Sequence, residues 1–254
     1  MQLRHAVSVR DCLITIGVGR RVVVVPSRLP LFPLGTVLVP GEVLPLHVFE
    51  PRYRQLVSDL LASREAGQTP SFGVIAIRQG LEVGRDRLKA LHAVGCVAEP
   101  LQMFEHPDGS SDLVCVGRQR FTLLDLDADA GTPYLTGLVE WCEEPVVAVA
   151  PALVARVQES FDAYRRRLNE LVSGDVEPEQ PTPGTPRDDP TMLSYLVTGS
   201  MMLHLAERQS LLAAADAGSR LRLALQLLRR ELTLLDLVPS VPAINLAQVP
   251  ADPR

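Results

Sequence analysis

The side chains able to do chemistry are sparse in this chain, and none stands at a spacing that a familiar reaction demands. Lys89 is the only lysine among 254 residues. A phosphate-gripping loop needs glycines closed by a lysine that reaches the β- and γ-phosphates, but Lys89 is followed by Ala90 and lies in no G-x-x-x-x-G-K-[ST] frame. The same lysine would have to be the base of any serine–lysine dyad, so neither ATP hydrolysis nor that route to peptide hydrolysis is expected. The histidines His5, His47, His92, His106 and His204 show no H-x-x-H or H-E-x-x-H spacing, and no serine occupies a G-x-S-x-G elbow. Cys12, Cys96, Cys115 and Cys142 lie far apart with no C-x-x-C pair, so they read as buried, reduced thiols rather than a zinc or redox motif. Cys96 with His92 or His47 is the one nucleophile–base pair left for folding to assemble. Glu143 and Glu144, like Asp125, Asp127 and Asp129, read as acidic loop residues and not as an acid–base pair or a metal site. No catalytic residue, cofactor or metal is expected.

The elements that must position any site are organised around Leu29–Leu61, LPLFPLGTVLVPGEVLPLHVFEPRYRQLVSDLL. Its apolar residues are interrupted by Pro30, Pro33, Pro40 and Pro45, which cannot donate to a ladder and mark strand ends, bulges and edges. Pro40-Gly41 suits a tight turn between strands at Val37–Val39 and Val43–Leu44. After Phe49 the period becomes helical: Pro51 fits the first helical position, Glu50 the positive helix end, and Tyr53, Leu56, Val57, Leu60 and Leu61 recur on one face. Further short β segments are expected at Ser71–Ile77, Ala93–Leu101, Leu113–Val116, Arg120–Leu126 and Leu135–Trp141, with Pro107-Asp108-Gly109 as a hairpin turn and residues 78–89 as a surface loop. So many strands hide their edges most economically in a partly closed barrel.

Around Pro145 the pattern turns helical. Val154, Val157, Phe161, Tyr164, Leu168 and Leu171 alternate at spacings of three and four, the seam of a packed helix, and Arg165-Arg166-Arg167 reads as its solvated face. Ser173–Pro190, with five prolines and two glycines, reads as a flexible connection. Helix resumes at Thr191, restarts near Ala206–Leu212, and ends in a long leucine stripe from Leu221 to Leu235, capped by Asp216 or Ser219 and stopped by Pro239. The expected division is an extension at 1–26, a β-rich unit at 27–146, a helical unit at 147–238 and an extended tail at 239–254.

The run LPLFPLGTVLVPGEVLPLHVFEPRYRQLV resembles the opening of the N-terminal, substrate-binding domain of the Lon protease family, especially stand-alone proteins with that domain alone. Phe72-Gly73-Val74-Ile75, Val94-Gly95-Cys96-Val97-Ala98, Pro107-Asp108-Gly109 and Gly117-Arg118-Gln119-Arg120-Phe121 follow in the order that family shows. The resemblance implies an α+β protein: a PUA-like, partly closed β-barrel with one inserted helix, then a helical bundle. It implies a non-catalytic module in protein quality control that engages unfolded or damaged polypeptides or a specific protein client. An extended segment would add to strand edges near Leu44–Phe49 or lie in a groove between the two halves, with Phe32, Leu46, Phe49 and Phe104 as candidate contacts. The alternative is an RNA-binding module of PUA-like fold, whose basic face would include Arg85, Arg87, Lys89, Arg118 and Arg120.

Composition supports a globular chain: 46% hydrophobic, 22% charged, and only 4% aromatic, so leucine, valine and alanine must build the core. A net charge of −5 lacks the positive field that nonspecific nucleic-acid binding rests on, which makes nucleic acid the less favoured partner. No apolar run approaches the roughly 20 residues that span a bilayer, and the first 26 residues lack one unbroken signal-peptide core, so a cytoplasmic location is expected. The oligomeric state is open.

Overall fold

The computed structural model describes residues 26–78, 88, 90–173 and 189–237. Residues 1–25 of the extension expected at 1–26, most of the 78–89 loop, residues 174–188 of the connection, and the tail with Pro239 lie outside the described residues.

Among the described residues, six strands and five helices follow in the order β1 (Ser27–Leu34), β2 (Val43–Val48), α1 (Pro51–Glu65), β3 (Phe72–Ala76), β4 (Val94–Glu105), β5 (Ser111–Leu126), β6 (Leu135–Trp141), α2 (Pro151–Ser173), α3 (Pro190–Ser200), α4 (Leu205–Leu212) and α5 (Ala217–Leu237). The sheet order is β2-β5-β4-β3-β1-β6, and β5 also pairs with β6. The fold is thus α+β, and its sheet is a partly closed ring rather than a clean barrel. β5 makes the closure. One of its edges pairs with β4, while the other pairs with β2 over Ser111–Val116 and with β6 over Phe121–Leu126. Its strands are antiparallel neighbours except β1 and β3, which run parallel.

Two expectations differ from this arrangement. Val37–Val39 is not a strand. Its Val37 carbonyl accepts from Arg208 Nε at 2.8 Å, and the Val39 N–H donates to Glu42 Oε2 at 3.1 Å, so side chains satisfy backbone groups that a ladder would otherwise take. Val37 and Val39 instead join Ala76, Tyr195 and Leu212 in a buried cluster between sheet and helices. The two strands expected at 113–116 and 120–126 are one 16-residue strand. It passes through Gly117 because a side chain there would meet the Val39 carbonyl oxygen at 2.1 Å, and the residues beside it fall in the irregularity where the pairing with β4 slips.

The β4–β5 hairpin turns at Pro107-Asp108-Gly109 as the sequence predicts, with Gly109 at φ 79°, a left-handed conformation glycine adopts freely. Asp108 Oδ1 accepts from the Ser110 backbone and hydroxyl at 2.9 and 2.7 Å, closing the turn. α1 opens at Pro51, but the Glu50 carboxylate is held by Arg52 at 2.8 Å and makes no cap to the helix N–H groups.

Apolar burial falls into connected clusters. Tyr53, Leu56, Val57 and Leu60 of α1 pack onto the inner face of β2, β4 and β5 through Val48, Leu113, Cys115 and their neighbours. Phe121, Leu123, Leu31, Ile75 and Val139 fill the ring. Val157, Phe161 and Tyr164 of α2 meet Leu193 and Val197 of α3 and Leu221, Ala224 and Leu228 of α5, the expected helical seam. Leu234, within the leucine stretch of Leu221–Leu235, is 48% exposed near the far end of α5. Asp216 does cap α5, its two oxygens accepting from the Ser219 N–H at 2.8 Å and hydroxyl at 2.9 Å.

Candidate functional site

Among the described residues, β2 pairs on one side only, with β5. Pro45 has no N–H, so its pair with Val114 is one in which neither residue bonds the other, and by alternation Leu44, Leu46 and Val48 supply the bonds to β5. Val43 and His47 therefore turn their backbone groups outward, and Pro45 removes one donor from the middle of that row.

Cross-strand register then assembles the outer face. Val43 lies opposite Val116, which lies opposite Glu99; Pro45 opposite Val114 and Gln102; His47 opposite Asp112 and Phe104. Residues directly opposite share a face. Phe49 (60% exposed), Val43 (58%), Phe104 (57%) and Leu101 (50%) leave large apolar surface in solvent here. The sequence-derived candidates thus separate. Phe49 and Phe104 stand on this outer surface. Leu46 is half-buried against the α1 core, and Phe32 is buried at 8% exposure, stacked on Tyr53 with ring centroids 4.0 Å apart.

A second concavity lies where the Pro40-Gly41-Glu42 turn meets α3, lined by Met192, Tyr195, Leu196, Gly199 and Ser200. This groove lies between that turn and the helix α3. It sits over a polar lock that sequence reading missed. Glu144, expected to be an ordinary acidic loop residue, accepts from Arg120 Nε at 2.6 Å and from the Tyr195 hydroxyl, and lies 3.6 Å from Arg220 Nη2. Arg120 also donates to the Leu212 and Ala214 carbonyls at 2.8 Å, and Arg220 to the Leu211 carbonyl at 3.1 Å and Ser194 Oγ at 2.9 Å. The Arg220 guanidinium stacks 4.0 Å over the Tyr195 ring. Burial and the Glu144 carboxylate raise the Tyr195 hydroxyl above its usual range despite Arg220 and Arg120. It remains a protonated donor.

Of the basic residues on which an RNA reading would stand, the two that are described are engaged within the chain. Arg120 is buried and spent on Glu144 and helix carbonyls, and Arg118 is paired with Glu99 at 2.8 and 3.2 Å. Arg85, Arg87 and Lys89 lie outside the described residues. Arg167 of the α2 triplet pairs with Glu170 at 3.0 Å and approaches Asp236 at 3.4 Å.

The nucleophile–base pair is not assembled either. Cys96 is fully buried, its sulfur near the Val97 and Arg118 carbonyls, and burial pushes its thiol pKa up, away from a reactive thiolate. Burial likewise pushes Cys115 up to about 12. His47 engages Asp112 at 2.7 Å instead.

The model of the ATP-dependent protease La (LON) substrate-binding domain matches residues 28–230, most of the chain. The chain belongs to the Lon substrate-binding domain family. Among Lon proteases it is 28% identical to that of Anaeromyxobacter dehalogenans (strain 2CP-C) over 218 residues, covering 84% of this chain and 24% of the relative. It is 29% identical to that of Escherichia coli (strain K12) over 213 residues, covering 82% of this chain and 25% of the relative. The chain therefore spans about a quarter of the length of these proteases. A crystal structure of a Lon N-terminal domain protein from Xanthomonas campestris matches at TM-score 0.56 and 25% identity, covering 84% of this chain and 99% of that one. The N-terminal domain of a Mycobacterium avium complex Lon protease shares the fold at TM-score 0.52 and 20% identity, covering 80% and 98%. Among the described residues of this Lon substrate-binding domain, no helix is long and apolar enough to cross a membrane.

Proposed function

We propose that this Lon-family domain holds extended, apolar-rich stretches of unfolded or damaged polypeptide along the β2 edge and the outer β2–β5–β4 face, and performs no reaction on them. The observation that carries the reading is the coincidence of an open strand edge with exposed Val43, Leu101, Phe104 and Phe49 beside it. An incoming strand would bond to the outward groups of Val43 and His47 while its alternate side chains lie against the apolar surface. Backbone pairing is indifferent to sequence, so affinity would be modest and many clients accepted, as fits an adaptor that recruits clients to a protease in the cytoplasm. The single lysine, without a P-loop around it, and the buried, unactivated Cys96 support a holding role rather than a catalytic one.

The test is fluorescence anisotropy with a labelled, unfolded casein-like client, paired with capture from a native extract. Combined Phe49→Ser and Phe104→Ser is expected to weaken client binding about tenfold or more, since interface aromatics each contribute about 1–2 kcal/mol. Leu196→Ala, in the groove at α3, should leave it unchanged. Equal binding by the double variant, with loss on Leu196→Ala, would move the site to the groove. Capture of a single native partner and no unfolded client would remove the polypeptide-holding reading, and turnover of ATP or peptide by the chain would remove the non-catalytic one.

A further inference from the structure

Three polar side chains on the outer face remain unused by the holding role. His47 on β2, Asp112 on β5 and His106 at the end of β4 converge on one carboxylate. Asp112 Oδ1 is 2.7 Å from His47 Nδ1, and Asp112 Oδ2 is 2.7 Å from His106 Nε2. The candidate ligand atoms all lie within 4.8 Å of one another. Each is held by sheet geometry: His47 and Asp112 are register partners, and the His106 backbone N–H donates to the Ser110 carbonyl at 2.8 Å in the hairpin turn. Ligands borne on paired strands need little reorganisation to close on an ion.

We propose that His47, His106 and Asp112 form a binding site for a late first-row divalent metal ion, of which Zn2+ is the representative. Two imidazoles and one carboxylate suit zinc, nickel or copper, whereas calcium and magnesium require shells of oxygen. Such an ion sits about 2.0–2.2 Å from nitrogen and oxygen ligands, so it fits between the three groups after small side-chain rotations. It takes the place of the two hydrogens now shared between rings and carboxylate. In each neutral ring the shared proton passes by way of solvent to the other ring nitrogen, which frees the nitrogen facing Asp112 for the ion with no net proton released. Three protein ligands leave at least one coordination position open beside Phe49, whose ring lies 6.1 Å from that of His47. Beside the triad, Asp108 of the hairpin turn feels the charges of Arg54 and His106, and Arg54 Nη1, reaching from α1, lies against Gly109. Occupancy would fasten the edge strand β2 to the β4–β5 hairpin.

The proposal does not rest on the polypeptide-holding role, although both use the outer face. Chelator-treated, tag-free full-length chain is titrated with zinc chloride by calorimetry and with Co2+ by visible absorption, alongside amide exchange of β2. Saturable binding of one ion is expected, weakened at least about tenfold in His47→Gln, His106→Gln and Asp112→Asn and unchanged in His92→Gln and His204→Gln. Amide exchange of β2 should slow with the ion bound. No saturable binding in the unaltered chain, or binding that survives the three ligand variants, overturns the proposal.

Discussion

At the scale of single residues the least expected feature is Arg220, a guanidinium with no exposed surface. Burial lowers its pKa from the usual arginine range while Tyr195 and Glu144 act to restore it, and arginine's high starting value keeps it charged. The charge is tolerated because its donors are occupied by Leu211 O, Ser194 Oγ and Ala214 O and its face by Tyr195. Arg220→Ala strips all of these and leaves the Ser194 hydroxyl and Glu144 with fewer partners in a site that water enters poorly. Breaking a buried pair on one side costs about 3–5 kcal/mol, and the urea midpoint should fall accordingly. Arg220→Lys should recover little of the loss, because a single ammonium cannot reach carbonyl, hydroxyl and ring together. A loss under about 1 kcal/mol would mean solvent substitutes for the guanidinium. None of this was legible in the sequence. Glu144 finds its partners 24 and 51 positions away, and His47 meets Asp112 from 65 positions away, so no short motif announces either cluster.

Among elements, α3 couples local sequence to the lock, since Ser194 and Tyr195 both lie on it. It begins one residue earlier than its apolar period suggests, at Pro190, with Asp189 as the N-cap accepting from Thr191 N at 2.7 Å and Met192 N at 3.5 Å. Asp189→Ala is expected to cost about 1 kcal/mol and to speed amide exchange in the first turn of α3, while Asp189→Ser retains most of the stability. Exchange rates equal to the unaltered chain would show that Pro190 and packing alone start the helix. Elements set by local rules were readable: β6 from its β-forming residues between turn signals, the hairpin from Pro107-Asp108-Gly109, α1 from Pro51, and α5 from Asp216 and its leucines. Elements set by distant partners were not. Val37–Val39 has strand composition but gives its backbone to Arg208 and Glu42, and β5 continues through Gly117–Gln119 because β2 and β6 take turns along its edge. The outer face was half legible, because alternation marks exposed positions of β2 but not which strands flank it.

Across the whole molecule the decisive question is whether ring and helices behave as one unit. Among the described residues, five side chains cross between them: Arg120 to the α4 end, Arg208 to Val37 and Glu42, Gln209 Nε2 to Val94 O at 2.9 Å, and Tyr195 and Arg220 to Glu144. The apolar cluster of Val37, Val39, Ala76, Tyr195 and Leu212 closes the gap around them. The two halves report separately, since Trp141, the only tryptophan, lies on β6 while helical circular dichroism comes chiefly from α2 and α5. If the crossing contacts bind the halves tightly, urea titrations followed by the two signals coincide, as a cooperative transition requires. Arg120→Leu with Arg208→Leu should lower both midpoints and pull them apart, because each half keeps its own apolar cluster while the polar ties between them are lost. Midpoints that stay superimposed in the double variant would assign the coupling to the Val37–Tyr195 cluster, and Val39→Ser would then be the change that separates them.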